Sequence, residues 1–180
     1  MPAGALVEHH LRGTGPEAWA DLRVTLRALT GVPRVLLLDG DWSAGEQADP
    51  DVAADVVHRL GATTLVSIAV LSGEISGPAL RLALACGLRV AAPDTVVRVT
   101  EVVAGDVPPT DVLAGLHRTL GPAGALELAV TGRSMGAEEA VSSGLALEGD
   151  GADARDLAAA ILAAPDEAVR ATIAALRGAV

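Results

Sequence analysis

Apolar residues along this chain fall into short continuous runs and into runs spaced at helical intervals, and the two kinds alternate. Residues 5–11 read as a first strand, after which Gly13-Thr14-Gly15-Pro16 breaks the chain and Pro16 suits a first helical position. Trp19, Leu22, Leu26 and Leu29 then recur at helical spacing, up to a stop at Gly31-Val32-Pro33. Residues 34–38 are continuously apolar after Arg34, the pattern of a parallel strand covered on both faces. A turn at Asp39-Gly40-Asp41 and a loop from 42 to 50 lead to a predicted helix over 51–60 and a second buried strand over 63–71, which together make a right-handed crossover unit. Residues 73–77 are a tight connection. Residues 78–86 carry Leu80, Leu82 and Leu84 among alanines, predicting a helix that is hydrophobic nearly all round and therefore buried. Residues 89–92 and 96–99 read as short strands, with a turn at Pro93-Asp94. From Asp111 onward the pattern is helical, broken at Gly121-Pro122, Gly132, Gly144, 149–151 and Pro165, with helices expected over 153–162 and 166–176.

Strands alternating with helices define an α/β class. The 180 residues suit one domain, able to bury roughly 70% of the surface its unfolded chain exposes. With two Trp and no Phe or Tyr, the core must be built from aliphatic side chains. A net charge of -10 argues against a nucleic-acid footprint, which needs clustered Lys and Arg, and against anionic membrane surfaces. It leaves room for a small anionic ligand held by a helix N-terminus or a local arginine. Cys86 is the sole cysteine, so no disulfide forms within the chain. The N-terminus carries Glu8, His9, His10 and Arg12 in place of an apolar signal core, and no run of about 18 apolar residues is present. A cytoplasmic protein is the expectation. His9, His10, His58 and His117 share no metal-ligand spacing and read as surface histidines, so no metal site is expected. Ser43 lacks a G-x-S-x-G context and does not read as a nucleophile.

Three strings carry a family resemblance. Leu126-Glu127-Leu128-Ala129-Val130-Thr131-Gly132-Arg133, followed by Ala137-Glu138-Glu139-Ala140-Val141-Ser142-Ser143-Gly144-Leu145, resembles the helix, "LTGR" and "SAEEAxxxGLV" of the enoyl-CoA hydratase/isomerase (crotonase) superfamily. Leu84-Ala85-Cys86-Gly87-Leu88-Arg89-Val90-Ala91 resembles its "LACDLRVA", and Trp42-Ser43-Ala44-Gly45 its "FSAGAD" loop. The pattern lies on residues 72–147 without a gap. The resemblance implies a spiral of ββα units that assembles as trimers or pairs of trimers, here shortened at both ends: a core over 1–150, and a reduced lid and trimerisation region over 151–180.

It also implies a chemistry. Such proteins hold a CoA thioester, with no separate cofactor, polarise its carbonyl with two backbone N–H groups, and move protons with one or two carboxylates. Ser43, Ala44, Gly45 and Gly77 match substrate-binding positions. The first donor matches Glu46. The second matches Pro78, which has no N–H, so only a register shift presenting the Ala79 N–H would restore it. The first carboxylate position holds Arg81, a permanent cation and no base. The second holds Glu101, which isomerase-type members use alone. Flanking Val97, Val99 and Val102 would raise its pKa toward working pH. Glu101 equally reads as a surface carboxylate, or as a partner of Arg81 that neutralises the site. Val107-Pro108-Pro109 stands for the family's "IPG", with Thr110 or Asp111 placed to cap the next helix. The loop 46–49 lacks the lysine that meets the CoA nucleotide, so modest CoA affinity is expected.

Three readings follow: an acyl-CoA isomerase or hydratase-like enzyme using Glu101; a silent accessory subunit that binds or stabilises an acyl-CoA or polyketide-type enzyme, like the short crotonase-like proteins of dihydroxyphenylacetyl-CoA biosynthesis; and a stand-alone acyl-ligand module. Homo-oligomers, as trimer or hexamer, fit the first.

Overall fold

Strand β2 (Arg34–Asp41) sends alternate side chains of its first half into two separate cores, which is why residues 35–38 are apolar without interruption. Leu36 and Leu38 face one core, and Val35 and Leu37 the other. The computed structural model describes residues 5–29, 34–62 and 65–178, so the expected helix stop at Gly31-Val32-Pro33 and the first two residues of the expected 63–71 strand lie outside it. β2 sits in a five-stranded parallel sheet ordered β1-β2-β3-β5-β8, with β1 at Leu6–Arg12, β3 at Leu65–Leu71, β5 at Leu88–Ala91 and β8 at Leu147–Glu148.

The larger core lies between one face of this sheet and helices α1 (Pro16–Ala28), α2 (Pro50–Leu60) and α3 (Gly77–Ala85), which bring in Trp19, Leu22, Leu26, Val56, Leu60 and Leu80. Each such aliphatic residue, fully removed from water, contributes about 1.5–3 kcal/mol of transfer free energy. Helix α7 (Gly151–Ala163) covers the other face, where Ala154 and Ala158 allow close approach to Val35, Leu37 and Ile68. Its start is fixed by a capping box between Asp150 and Asp153. A smaller sheet, β4 (Glu74–Ile75), β6 (Val96–Arg98) and β7 (Ser134–Gly136), carries one antiparallel pair, β6 with β7. The remaining helices are α4 (Glu101–Ala104), α5 (Thr110–Thr131), α6 (Ala137–Ser142) and α8 (Asp166–Gly178).

Several expectations need correction. Asp39-Gly40-Asp41 is no turn; it prolongs β2 beside Leu11 and Arg12 of β1. Gly40 is required there, with φ at 114° and a notional Cβ only 2.5 Å from the Leu11 carbonyl oxygen. The stretch after Asp111 is not wholly helical: β7 and β8, like β4 and α4 before them, are two to four residues long, too short to show a period. Strands over 89–92 and 96–99 are found as β5 and β6, but in different sheets. Helix α5 kinks at Gly121, whose φ of 70° breaks the helical path before Pro122. Its N-cap is Pro109, so neither Thr110 nor Asp111 caps it.

Arg89, read above only as part of a motif, is a structural tie. Its guanidinium donates to the Cys86 carbonyl at 2.7 Å and the Leu145 carbonyl at 2.6 Å, joining the end of α3 to the segment before β8. Among the described residues no helix is long and apolar enough to cross a membrane, and no group of three His, Cys, Asp or Glu side chains is placed to hold a metal.

His9 is not a surface histidine. It is 8% exposed, with Nδ1 3.1 Å from the Thr25 hydroxyl of α1 and Nε2 3.8 Å from Asp21. Burial holds its pKa below the ordinary 6.5, against the opposing pull of Asp21. The unfolded chain therefore takes up a proton at His9 that the folded chain resists, and this contribution to stability, full above about pH 6.5, is lost as pH falls below it. Melting the native chain and His9→Gln between about pH 7.5 and about pH 5 tests this: the variant loses less stability across the interval. Equal losses would refute it.

Candidate active site

The Ser43-Ala44-Gly45 loop is held by the turn between β1 and α1. The Ser43 carbonyl accepts from the Thr14 N–H at 3.1 Å and the Thr14 hydroxyl at 2.8 Å, and Gly13 N–H donates to the Asp41 carbonyl at 3.1 Å. Asp41 accepts the Ser43 N–H at 2.8 Å, and hydrogen bonds from Ser43 hold its carboxyl below the usual range. Gly45 sits directly on this turn: a Cβ there would lie 2.5 Å from the Gly15 nitrogen and 2.6 Å from its Cα. Trp42 anchors the loop from below, 2% exposed, with its indole N–H donated to the Val70 carbonyl at 2.6 Å. Glu46 follows on the surface, and its N–H has no hydrogen-bond partner among the described residues.

Helix α3 begins opposite. Ser76 is its N-cap, and its hydroxyl donates to Glu74 rather than capping the helix. Gly77 has φ at 52°, the left-handed conformation that lets the chain enter α3 at this angle. Pro78 supplies no N–H, and the Ala79 N–H is already donated to the Ser76 carbonyl at 3.1 Å, with Ala79 fully buried. The register shift that would present Ala79 as a second donor is therefore not what the chain adopts.

Arg81 does not meet Glu101. Its Nε lies 2.9 Å from the Asp111 carboxylate at the start of α5, and its guanidinium stands 6.0 Å from the Trp19 ring centroid. The pairing follows from α3 lying against α5, which brings Asp111 to the cation before Glu101 is reached. No sequence signal marked Asp111 for this role, since 30 residues separate the two.

Glu101 opens α4, a single turn closed by Gly105 at φ 90°. Its Oε2 is buried without a hydrogen-bond partner among the described residues, as is Nε of Arg98 three residues earlier. Native structures leave few such groups unsatisfied, so an orphaned carboxylate oxygen calls for a water, an ion, a ligand or a chemical role. The Val flank is incomplete: Val97 and Val99 are in the core, but Val102 is 38% exposed. Cys86, at the end of α3, is no nucleophile, because burial pushes its thiol up to about 12.

A cleft of about 460 Å³ joins the two loops, lined by Ser43 and Ala44 on one side and by Ser72, Gly73, Glu74 and Ser76 on the other, with Asp41 and Asp94 at its rim. It opens at the carboxyl ends of β2 and β3, where parallel sheets bind ligands. Glu46, Gly77, Pro78, Arg81 and Glu101 do not line it.

This arrangement is that of a crotonase-type α/β fold. A structure from Thermobifida fusca YX, a candidate enoyl-CoA hydratase in complex with acetoacetyl-CoA, superposes on 99% of the chain with a TM-score of 0.86 and 25% identity, over 85% of its own length. Enoyl-CoA hydratase subunit I from Geobacillus kaustophilus HTA426 superposes on 99% of the chain with a TM-score of 0.85 and 25% identity, over 80% of its length. The model of the enoyl-CoA hydratase/isomerase family matches residues 45–179, and the chain belongs to that family. Among curated relatives, the "Probable enoyl-CoA hydratase echA17" of Mycobacterium avium is 37% identical over 94 residues, and the human mitochondrial enoyl-CoA hydratase domain-containing protein 2 is 36% identical over 157. These matches take in 52% and 78% of the chain, but only 37% and 54% of the relatives' own lengths.

Proposed function

We propose that the chain binds an acyl-CoA-type thioester and acts on it as an isomerase-type protein, with Glu101 as the proton-transfer group and the Glu46 N–H as the single backbone donor to the thioester oxygen. The observation that carries this is the buried, unpartnered Oε2 of Glu101. A carboxylate oxygen in that state is available to a substrate proton, whereas Arg81, paired with Asp111, offers neither a base nor a free charge. Hydration, which in this family draws on both carboxylate positions, is disfavoured for that reason. The ligand is a CoA thioester, and the chemistry calls on no further cofactor.

A second reading, a silent accessory subunit of an acyl-CoA or polyketide-type enzyme, is favoured by Pro78 and by the engagement of the Ala79 N–H, which leave one donor where the family uses two. Both readings involve association, as a homo-oligomer or with another enzyme. Helix α8 supports that, since none of its described side chains is buried and Leu176 is 67% exposed. We assign residues 151–180 to this role, α7 also covering one face of the sheet, and residues 1–150 to the ligand-binding core.

Isothermal titration with acetyl-, crotonyl- and phenylacetyl-CoA, with turnover followed in parallel, tests the proposal. Binding of at least one ester with turnover is expected. Binding without turnover would favour the accessory subunit, and binding of none would end the acyl-thioester reading.

A further inference from the structure

Two side chains three residues apart carry opposite charges that nothing answers. Arg98 closes β6 and Glu101 opens α4, and Nε of the first and Oε2 of the second are both buried with no hydrogen-bond partner among the described residues. Neither takes part in an ion pair there. Val97 and Val99 point into the core, so strand alternation turns Arg98 to the opposite face of β6. Thr100 already has helical backbone angles, φ -96° and ψ -16°, so the chain bends between the two residues. Their Cα atoms therefore lie closer than the roughly 11 Å of three extended residues. The other charges on elements packed against β6 and α4 are engaged or exposed. Glu74 of β4 accepts the Ser76 hydroxyl, and Arg81 of α3 is paired with Asp111 of α5. Arg133 adjoins Ser134, the cross-strand neighbour of Arg98, and is paired with Glu127 of α5 and Glu139 of α6. His117 and Arg118 of α5 and Glu138 of α6 are exposed.

A buried carboxylate with no opposite charge at hand reverts to its neutral acid, because ionisation there forfeits hydration. A nearby cation reverses that preference. If the cation also hydrogen-bonds the carboxylate, it occupies an oxygen that a base needs, as Arg81 occupies Asp111. A cation held close but unbonded supplies the charge and leaves the oxygen open. We infer that Arg98 is a positioning residue of this kind, the counter-charge that keeps Glu101 an ionised base without engaging its Oε2. The inference rests on the proton transfer proposed for Glu101 and adds the group that makes it a base.

Thermal melting tests the coupling without any substrate. Arg98→Met keeps an aliphatic stem and removes the charge. It is expected to lower the melting temperature by about 2–4 °C more in the native chain than in Glu101→Gln, where no charge is left to offset. Equal losses in the two backgrounds would overturn the inference. Exchange of the acyl-chain protons of crotonyl-CoA in heavy water, followed by mass spectrometry, tests the chemical consequence. In that exchange Glu101 takes a proton from the γ-carbon, the electron pair passes to the thioester oxygen, and a deuteron returns to carbon. Arg98→Met is expected to exchange about tenfold more slowly at neutral pH with crotonyl-CoA affinity unchanged, and to recover as the pH is raised. Arg98→Lys is expected to keep the native profile. A loss that is the same at every pH, or that lysine does not restore, would make Arg98 a structural residue and overturn the inference. A native chain that shows the coupling but no exchange would instead overturn proton transfer by Glu101, leaving the counter-charge in place.

Discussion

Glu101→Gln is expected to lower turnover of a bound acyl thioester by about 10²–10⁴-fold, the usual contribution of a positioned acid or base, while the ester's dissociation constant stays nearly unchanged. Glutamine keeps the shape and a polar atom at the position of the buried, unpartnered Oε2, so the local packing is preserved while the proton-accepting carboxylate is lost. Glu101→Asp provides the control: it retains a carboxyl group about one methylene short, and partial activity is expected from a group that must reach a substrate carbon. Unchanged turnover in Glu101→Gln would remove Glu101 from the chemistry. Binding lost together with turnover would make it a structural or ligand-holding residue instead. Arg81→Ala separates the two carboxylate positions. Because Arg81 is engaged by Asp111, its removal is expected to alter stability through the ion pair and the Trp19 contact, not the proton transfer itself.

Trp42→Ala is expected to destabilise the chain by about 3–5 kcal/mol, the range for removing a large buried aromatic, and to lower the melting temperature by about 10 °C. Trp42 is 2% exposed, stands immediately before the Ser43-Ala44-Gly45 loop, and contributes to the wall of the cleft. Its loss therefore also frees the loop that positions the Glu46 N–H, and thioester binding should weaken further than stability alone explains. Trp42→Phe isolates the indole hydrogen bond to the Val70 carbonyl; about 1 kcal/mol is expected from losing it with most of the packing kept. Thermal unfolding followed beside thioester titration reads both effects. A Trp42→Ala chain that melts as the native one does would contradict the anchoring role.

The loop itself shows how legible the site was. Trp42-Ser43-Ala44-Gly45 is recognisable as a string, and the need for glycine at 45 follows from the 2.5 Å approach of Gly15, a contact between segments 30 residues apart that no local pattern reveals. That Pro78 supplies no N–H was plain without any structure, because proline donates none wherever it lies. The fate of the Ala79 N–H was open until the Ser76 carbonyl was placed 3.1 Å from it.

By itself, the sequence determined the properties that depend on local order. Nearly continuous apolar runs marked β2 and β3, since a strand covered on both faces is predominantly apolar, and helical spacing marked α1 and α2. The buried Ser67 of β3 has its hydroxyl hydrogen-bonded to the Leu60 carbonyl. The motif strings pointed to the family, and the resemblance put Pro78 and Arg81 where a second donor and a first carboxylate are expected. Only the tertiary structure decided which charges meet. Asp111, and not Glu101, is the partner of Arg81; His9 is drawn beneath α1; and Asp41, Glu74 and Asp94 come from three separate segments to make one acidic cleft. Short elements such as α4, β7 and β8 belong to the same class, being too brief to show a period and held in place by the neighbours they pack against. Periodicity is a property of neighbouring residues, whereas charge pairing and burial depend on distances between segments that the chain order leaves free.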